Sequence, residues 1–406
     1  MINVIGLGYI GLPTALMFAK SGVEVIGTDL NEELVDSLLN GKLTFEEKGL
    51  EELFNAAIES GIKFTTEYQK TDNYIVAVPT PYISSSKKLN PKYVIAAVNR
   101  VLDVCEKGAV IIIESTISPG SIDRYVRPEI EKRGVVIGDD IHLVHAPERI
   151  IPGNMLYELE HNSRTVGADN PKIGERIKEL YSSFCKSEIV VTDIRSAEMS
   201  KVVENSYRDV NIAFANELAK ICRADNMDVY EIIRIANMHP RVNVLQPGPG
   251  VGGHCISVDP WFLVGDYPDL TNLILTARKI NDSMPSHVLG RIRDIMRGHN
   301  ITDITKIGIY GLAYKENVDD TRESPTLQLL EKMDEHLAFG VKVYDPFIKE
   351  RMVDHQFMNF DDFLNEIEIL VIITAHDHIK NNLDLIKGKL ILDTKNICNF
   401  DGVYKL

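Results

Sequence analysis

A short apolar run, Ile2-Asn3-Val4-Ile5, leads into Gly6-Leu7-Gly8-Tyr9-Ile10-Gly11 and then a helix-compatible stretch from Pro13 to Lys20. A second run, Val23 to Thr28, stops on Asp29. A glycine turn between strand and helix, followed by a strand that ends in an acid, is the opening of a nucleotide-binding βαβ unit. Gly6 permits the tight turn, Gly8 lets a pyrophosphate approach the backbone, and Gly11 lets the helix pack closely on the strand. Pro13 suits a first helical turn. The helix N-terminus offers amide donors and the positive end of its dipole to phosphates. Asp29 would accept from both ribose hydroxyls and repel a 2′-phosphate, which favours NAD over NADP. The other reading is a purely structural glycine turn. FAD uses the same fingerprint, but no second flavin-type signal accompanies it here.

Strand-like runs recur at Tyr74 to Val78, Val110 to Ile113, Ile141 to Val144 and Ile189 to Val191, with helical stretches between most of them. Such alternation implies a parallel sheet covered on both faces. From Ser196 to Asp225 the pattern becomes one long helix without Pro or Gly, and a second helical region spans Leu270 to Arg297. The Pro/Gly-rich loop Gln246 to Gly253 interrupts them. The last hundred or so residues echo the first: Lys306 to Gly311 is strand into glycine turn, Ser324 to Phe339 a helix with Ser324 as N-cap and Pro325 at its first position, and Val341 to Asp345 a strand ending in an acid. Ile369 to Thr374 and Leu390 to Asp393 complete the set. The expectation is an α/β protein with two Rossmann-like parallel-sheet domains joined by a long central helix and a helical middle region. The boundaries fall at 1–195, 196–300 and 301–406.

The 406 residues carry 44 Lys+Arg against 59 Asp+Glu, a net charge of −15. So acidic a surface argues against nucleic acid or an anionic membrane as partner, because phosphate backbones and lipid headgroups call for excess Lys and Arg. Val4 to Ala19 is uncharged and largely apolar, but it lacks a basic leader and a cleavage site, and its glycines and Pro13 make it too broken for a membrane span. The cysteines, Cys105, Cys185, Cys222, Cys255 and Cys398, are odd in number and scattered with no CxxC pair. That spacing excludes a disulfide framework and a cysteine zinc site, and it points to a reducing, cytoplasmic setting. His376 and His378 have no partner motif, so no metal is expected.

Gly252-Gly253-His254-Cys255 is the sharpest feature of the middle segment. A glycine approach lets a ligand come close to the chain, and a thiol beside a cation or a helix start is partly thiolate and strongly nucleophilic. The alternative is a small buried cysteine, the reading that holds for the other four. Asp259 lies four residues on, either sharing the pocket or starting a helix ahead of Pro260. In the long helix Lys201 and Asn205 are four apart and Arg208 is seven past Lys201, so the three fall on one face. That stripe would suit an anionic, hydroxylated ligand or, equally, solvent. His239-Pro240-Arg241 is a phosphate or sugar contact or a surface turn. Thr80 in Val78-Pro79-Thr80-Pro81, and Thr116 after Ser115, follow buried strands on the side where parallel sheets bind ligands.

Together these residues resemble the UDP-glucose/GDP-mannose dehydrogenase family over nearly the whole chain. The resemblance rests on Gly6 to Gly11, Val78 to Pro81, Ser115-Thr116 with Pro119-Gly120, Ala146-Pro147-Glu148-Arg149, Lys201 with Asn205, Gly252 to Cys255 with Asp259, and Gly311 to Lys315 leading to Asp320 to Pro325. Within it, His239 to Asn243, Pro247 to Cys255 and Asp259-Pro260-Trp261-Phe262 look like the branch acting on UDP-N-acetyl-D-mannosamine.

The resemblance implies a four-electron oxidation of the sugar C6 with two NAD per turnover. Cys255 is then the nucleophile that forms a thiohemiacetal and a thioester, Lys201 and Asn205 stabilise the C6 oxygen, Asp259 orders Lys201 or water, and Glu148 serves as base for hydrolysis. The cofactor set is Gly6, Gly8, Tyr9, Ile10, Gly11, Asp29, Thr80, Thr116 and Arg322. The UDP-sugar set is Arg149, Ile150, Lys201, Asn205, Arg208, His239, Arg241, Gly252, Tyr314 and Lys315. A homo-oligomer, dimer or tetramer, is implied, with Arg241 shared across subunits. The rival readings are the same oxidation of UDP-GlcNAc or UDP-glucose, a two-electron dehydrogenase that needs no cysteine, and a nucleotide-sensing protein without turnover.

Overall fold

The computed structural model describes residues 1–253, 255–336 and 338–406. The chain divides into two compact units, one of Met1–Glu204 with Trp261–Pro268, the other of Asn205–Pro260 with Asp269–Leu406.

The first unit is built on eight strands: β1 (Ile2–Ile5), β2 (Val25–Thr28), β3 (Lys63–Thr65), β4 (Asn73–Val76), β5 (Ala109–Ile113), β6 (Ile141–His145), β7 (Arg164–Ala168) and β8 (Ile189–Thr192). They lie in the order β3-β2-β1-β4-β5-β6-β7-β8. Strands β1, β4 and β5 are buried throughout, as expected of strands covered on both faces. The order reverses between β1 and β4, which opens a crevice at the carboxyl ends of those strands, directly after Ile5 and Val76.

One pairing departs from the all-parallel expectation. Strand β7 runs antiparallel to β6, with Val144 opposite Ala168 and His145 opposite Gly167. The connection between them therefore does not cross a face of the sheet. Residues 146–163, including Ala146-Pro147-Glu148-Arg149 and the helix Met155–His161, stay at the carboxyl rim of the parallel strands.

The second unit has six strands, all parallel: β9 (Ile307–Tyr310), β10 (Lys342–Tyr344), β11 (Gln356–Phe357), β12 (Ile369–Ile372), β13 (Leu390–Asp393) and β14 (Val403–Lys405). Their order, β11-β10-β9-β12-β13-β14, repeats the permutation of the first six strands of the other unit. The expectation of two Rossmann-like sheets holds. Ser324 caps the helix Pro325–Glu335 by accepting from the Thr326 amide, and the helix stops four residues short of Phe339.

The long helix runs Ile194–Ala224, within two residues of its expected ends. The region after Leu270 is two helices, Asn272–Asp282 and Met284–Gly298. Pro285, which has no amide hydrogen to donate, sits in the first turn of the second. Among the described residues no helix is long and apolar enough to cross a membrane.

Candidate functional site

In the first unit the glycine turn is shaped by close contact. Gly6 has φ +90°, and a Cβ there would lie 2.6 Å from the Ala77 carbonyl. A Cβ on Gly11 would lie 1.8 Å from the Gly6 carbonyl, whereas one on Gly8 would meet nothing within 4 Å. The turn is thus closed on the strand side and open where a phosphate would approach. The helix Gly11–Lys20 has neither a side-chain cap nor an acid in its first turn. Tyr9 stacks on Phe45 with ring centres 4.4 Å apart, and Ile10 packs against the core. Asp29 accepts the Leu7 amide on Oδ2 at 2.8 Å and the Asn31 amide on Oδ1 at 2.9 Å, so its partly exposed carboxylate is held against the turn. These features fit a dinucleotide.

Thr80 and Thr116 follow the adjacent strands β4 and β5. The Ser115 hydroxyl donates to the Val78 carbonyl at 2.7 Å and ties the two loops together. Glu198, buried on the long helix, accepts from the Gly120 and Ile122 amides and anchors the second loop from below. Burial pushes its carboxyl up to about 7 against the pull of those amides.

Glu148 is buried at the carboxyl rim. It accepts the Arg149 amide on Oε1 at 2.6 Å and pairs through Oε2 with Arg164, the first residue of β7. The Arg149 guanidinium donates to Glu204, to the Ser163 carbonyl and to the Thr165 hydroxyl, so it fastens the rim loop. Ile150 points into the core, which leaves only its main chain for a ligand. Lys201 is buried on the long helix.

In the second unit the Asn205 amide donates to Asp259 Oδ2 at 2.6 Å, both residues being buried. The Asp259 amide donates to the Cys255 carbonyl at 2.9 Å, which places the half-buried thiol residue one turn ahead of the helix Asp259–Asp266. His254 of the glycine motif lies outside the described residues. Gly252 and Gly253 are flattened against Tyr314: a Cβ on Gly252 would come within 2.6 Å of the Tyr314 Cβ, and one on Gly253 within 2.7 Å of its ring. The Gly253 amide donates to the Arg322 carbonyl at 2.8 Å. Arg322 forks onto Asp320, and Lys315 is half-buried next to Tyr314. Arg208, His239 and Arg241 are exposed, so the face shared by Lys201 and Asn205 changes from buried to exposed at Arg208.

Three features escaped the sequence reading. Lys395, two residues past β13, lines a cavity of about 290 Å³ with Gln246, Gly248, Gly250, Glu316 and Lys380. Burial pulls its ammonium below the usual lysine range. Its place after a parallel strand was the available signal. A buried chain of polar groups also runs from Arg278 through Asp209, Asn281 and Asn216 to the Gly248 amide, supporting the glycine loop from behind. Burial raises the Asp209 carboxyl despite its pairing with Arg278.

The third feature is the internal pairing of Asp345, the strand-ending acid that matches Asp29 in the other unit. Asp345 accepts from the Leu312 and Ala313 amides at 2.6 and 2.8 Å and from His376 at 3.1 Å, and it is buried. Burial raises its carboxyl, but His376 and the amides of Ala313 and Phe347 outweigh that and hold it below the usual range. Asp29 is open to a ribose, and Asp345 is consumed internally.

Residues 1–185 match the NAD-binding domain of the UDP-glucose/GDP-mannose dehydrogenase family, residues 195–283 its central domain and residues 308–400 its UDP-binding domain. The chain belongs to this family. It is an NAD-dependent UDP-sugar dehydrogenase, an oxidoreductase. It is 44% identical to the UDP-N-acetyl-D-mannosamine dehydrogenase of Methanocaldococcus jannaschii over 98% of this chain and 92% of that one. It is 39% identical to an NDP-N-acetyl-D-galactosaminuronic acid dehydrogenase of Ralstonia nicotianae over 98% and 96%. The structure of the UDP-N-acetyl-mannosamine dehydrogenase from Staphylococcus aureus superimposes with a TM-score of 0.88 at 42% identity, covering 100% of this chain and 97% of that one.

Proposed function

We propose that the protein oxidises UDP-N-acetyl-D-mannosamine at C6 to UDP-N-acetyl-D-mannosaminuronate. The reading is carried by the buried bond between Asn205 and Asp259, whose amide in turn holds the Cys255 carbonyl. The choice of sugar follows the M. jannaschii and S. aureus relatives, matched over 92% and 97% of their lengths. NAD, held by Gly6, Gly8, Tyr9, Ile10, Gly11, Asp29, Thr80, Thr116 and Arg322, supplies a hydride acceptor.

The residues divide the remaining work. Lys201 takes the proton of the C6 hydroxyl as the carbon loses its hydride, leaving an aldehyde. The Cys255 sulfur adds to that carbon and the carbonyl oxygen takes up a proton, giving a thiohemiacetal. Loss of the second hydride and of the hydroxyl proton leaves a thioester. Lys201 and the Asn205 amide hydrogen-bond to the oxygen as charge gathers on it, and Asp259 keeps Asn205 oriented. Glu148 takes a proton from the water that attacks the thioester. The carbon–sulfur bond breaks, the carboxylate leaves and the thiol is restored.

Tyr314, Lys315 and the cavity beside Lys395 take the UDP portion, and Arg149, Ile150, Arg208, His239, Arg241 and Gly252 the sugar end. The assignment by segment is NAD at 1–195, catalytic cysteine and assembly at 196–300, and UDP at 301–406, in a cytoplasmic homo-oligomer. The test is NADH released per uronate formed, with UDP-ManNAc, UDP-GlcNAc, UDP-GalNAc and UDP-glucose. Two NADH per uronate, fastest with UDP-ManNAc, is the expected result. One NADH per product removes the thioester route. The R. nicotianae relative makes UDP-GalNAc the second substrate to watch.

A further inference from the structure

Behind Glu148 lies a second buried acid with no place in the reaction described above. Glu114 directly follows β5 and is 1% exposed. The Arg164 guanidinium, 4% exposed, pairs with Glu148 through Nη2 and reaches Glu114 Oε1 through Nη1 at 3.4 Å. The Tyr181 hydroxyl donates to the same Glu114 oxygen at 3.1 Å, and its ring lies under the guanidinium at 4.6 Å. The groups facing Glu114 are thus Arg164 from β7, Glu148 from the rim loop, Tyr181 from the helix Pro171–Tyr181 and Thr14 from the first helix. Cys185 faces Arg164. Glu114 Oε2 and the Thr14 hydroxyl are both buried with no hydrogen-bond partner among the described residues.

A single buried cation cannot neutralise two buried carboxylates, so the two compete for it. We infer that Glu114 is a positioning residue that sets the basicity of Glu148 by competing with it for Arg164. With Glu114 protonated, Arg164 belongs to Glu148, which is then the weaker base. With Glu114 ionised, the guanidinium is divided and Glu148 becomes the stronger base. Burial pushes the Glu114 carboxyl up to about 7; Arg164 opposes the rise and Glu148 adds to it.

The inference rests on Glu148 as the base of thioester hydrolysis, and the experiment separates the two. Enzyme turning over UDP-N-acetyl-D-mannosamine and NAD is acid-quenched at several pH values, and the fraction of chains carrying a covalent sugar is read by intact mass. In the wild type that fraction should fall by about threefold as pH rises through neutrality. In Glu114→Gln the step should vanish, leaving the fraction at its low-pH level throughout. Tyr181→Phe, a gentler change that removes only a donor to Glu114, should displace the step to higher pH. Glu148→Gln should accumulate the adduct at every pH. Wild-type steps in both Glu114→Gln and Tyr181→Phe, alongside accumulation in Glu148→Gln, would overturn the role of Glu114. No accumulation in Glu148→Gln would instead remove Glu148 as the base.

Discussion

Cys255→Ala should abolish uronate formation while UDP-sugar and NAD still bind, since the substitution removes only the sulfur and leaves the carbonyl that receives the Asp259 amide. Steady-state NADH release and equilibrium binding of both ligands check it, and uronate production by the variant would defeat the covalent route. The motif residues were legible because each needs a rare local property: Gly6 and Gly11 a contact no side chain tolerates, Asp29 a strand end facing the turn. Lys395 and Glu114 were not legible. A lysine after a strand, or a glutamate ending one, looks like any other until the fold buries it among Glu316, Arg164 and Glu148. Arg149 reads as a ligand cation, and in the structure its guanidinium also fastens the rim loop.

At the scale of elements, the long helix was legible to within two residues because thirty positions without Pro or Gly leave few alternatives. Its outer face carries Tyr207, Phe214 and Ile221, exposed and seven residues apart, so they form one stripe. The homo-oligomer proposed above is tested on this stripe. Tyr207→Asp with Ile221→Asp should lower the assembly's mass in light scattering while the circular dichroism stays native. An unchanged mass would place the contact elsewhere. Strands β3, β7, β11 and β14 were missed for physical reasons. β3 and β14 are three residues each and β11 two, too short to show alternation. β7 opens with an arginine that reads as loop until two carboxylates are found beside it.

Across the molecule the same strand permutation occurs twice, and the two copies differ in how their strand-ending acids are used. A stability prediction belongs at this scale. His145 is fully buried, its Nδ1 at 2.8 Å from the Ile113 carbonyl, and burial pushes its imidazole down to about 4. A folded value below the unfolded one means that the contribution is whole above the ordinary histidine range and is lost as pH falls toward 4. His145→Gln should therefore lose less stability than the wild type between neutrality and pH 4, the difference approaching on the order of 3 kcal/mol. Parallel Tm curves for the two proteins would refute this.

The antiparallel return of β7 has a consequence for change over time. Because residues 146–163 leave and re-enter the sheet at the same end, the rim loop can change in length there without asking any strand to shift register.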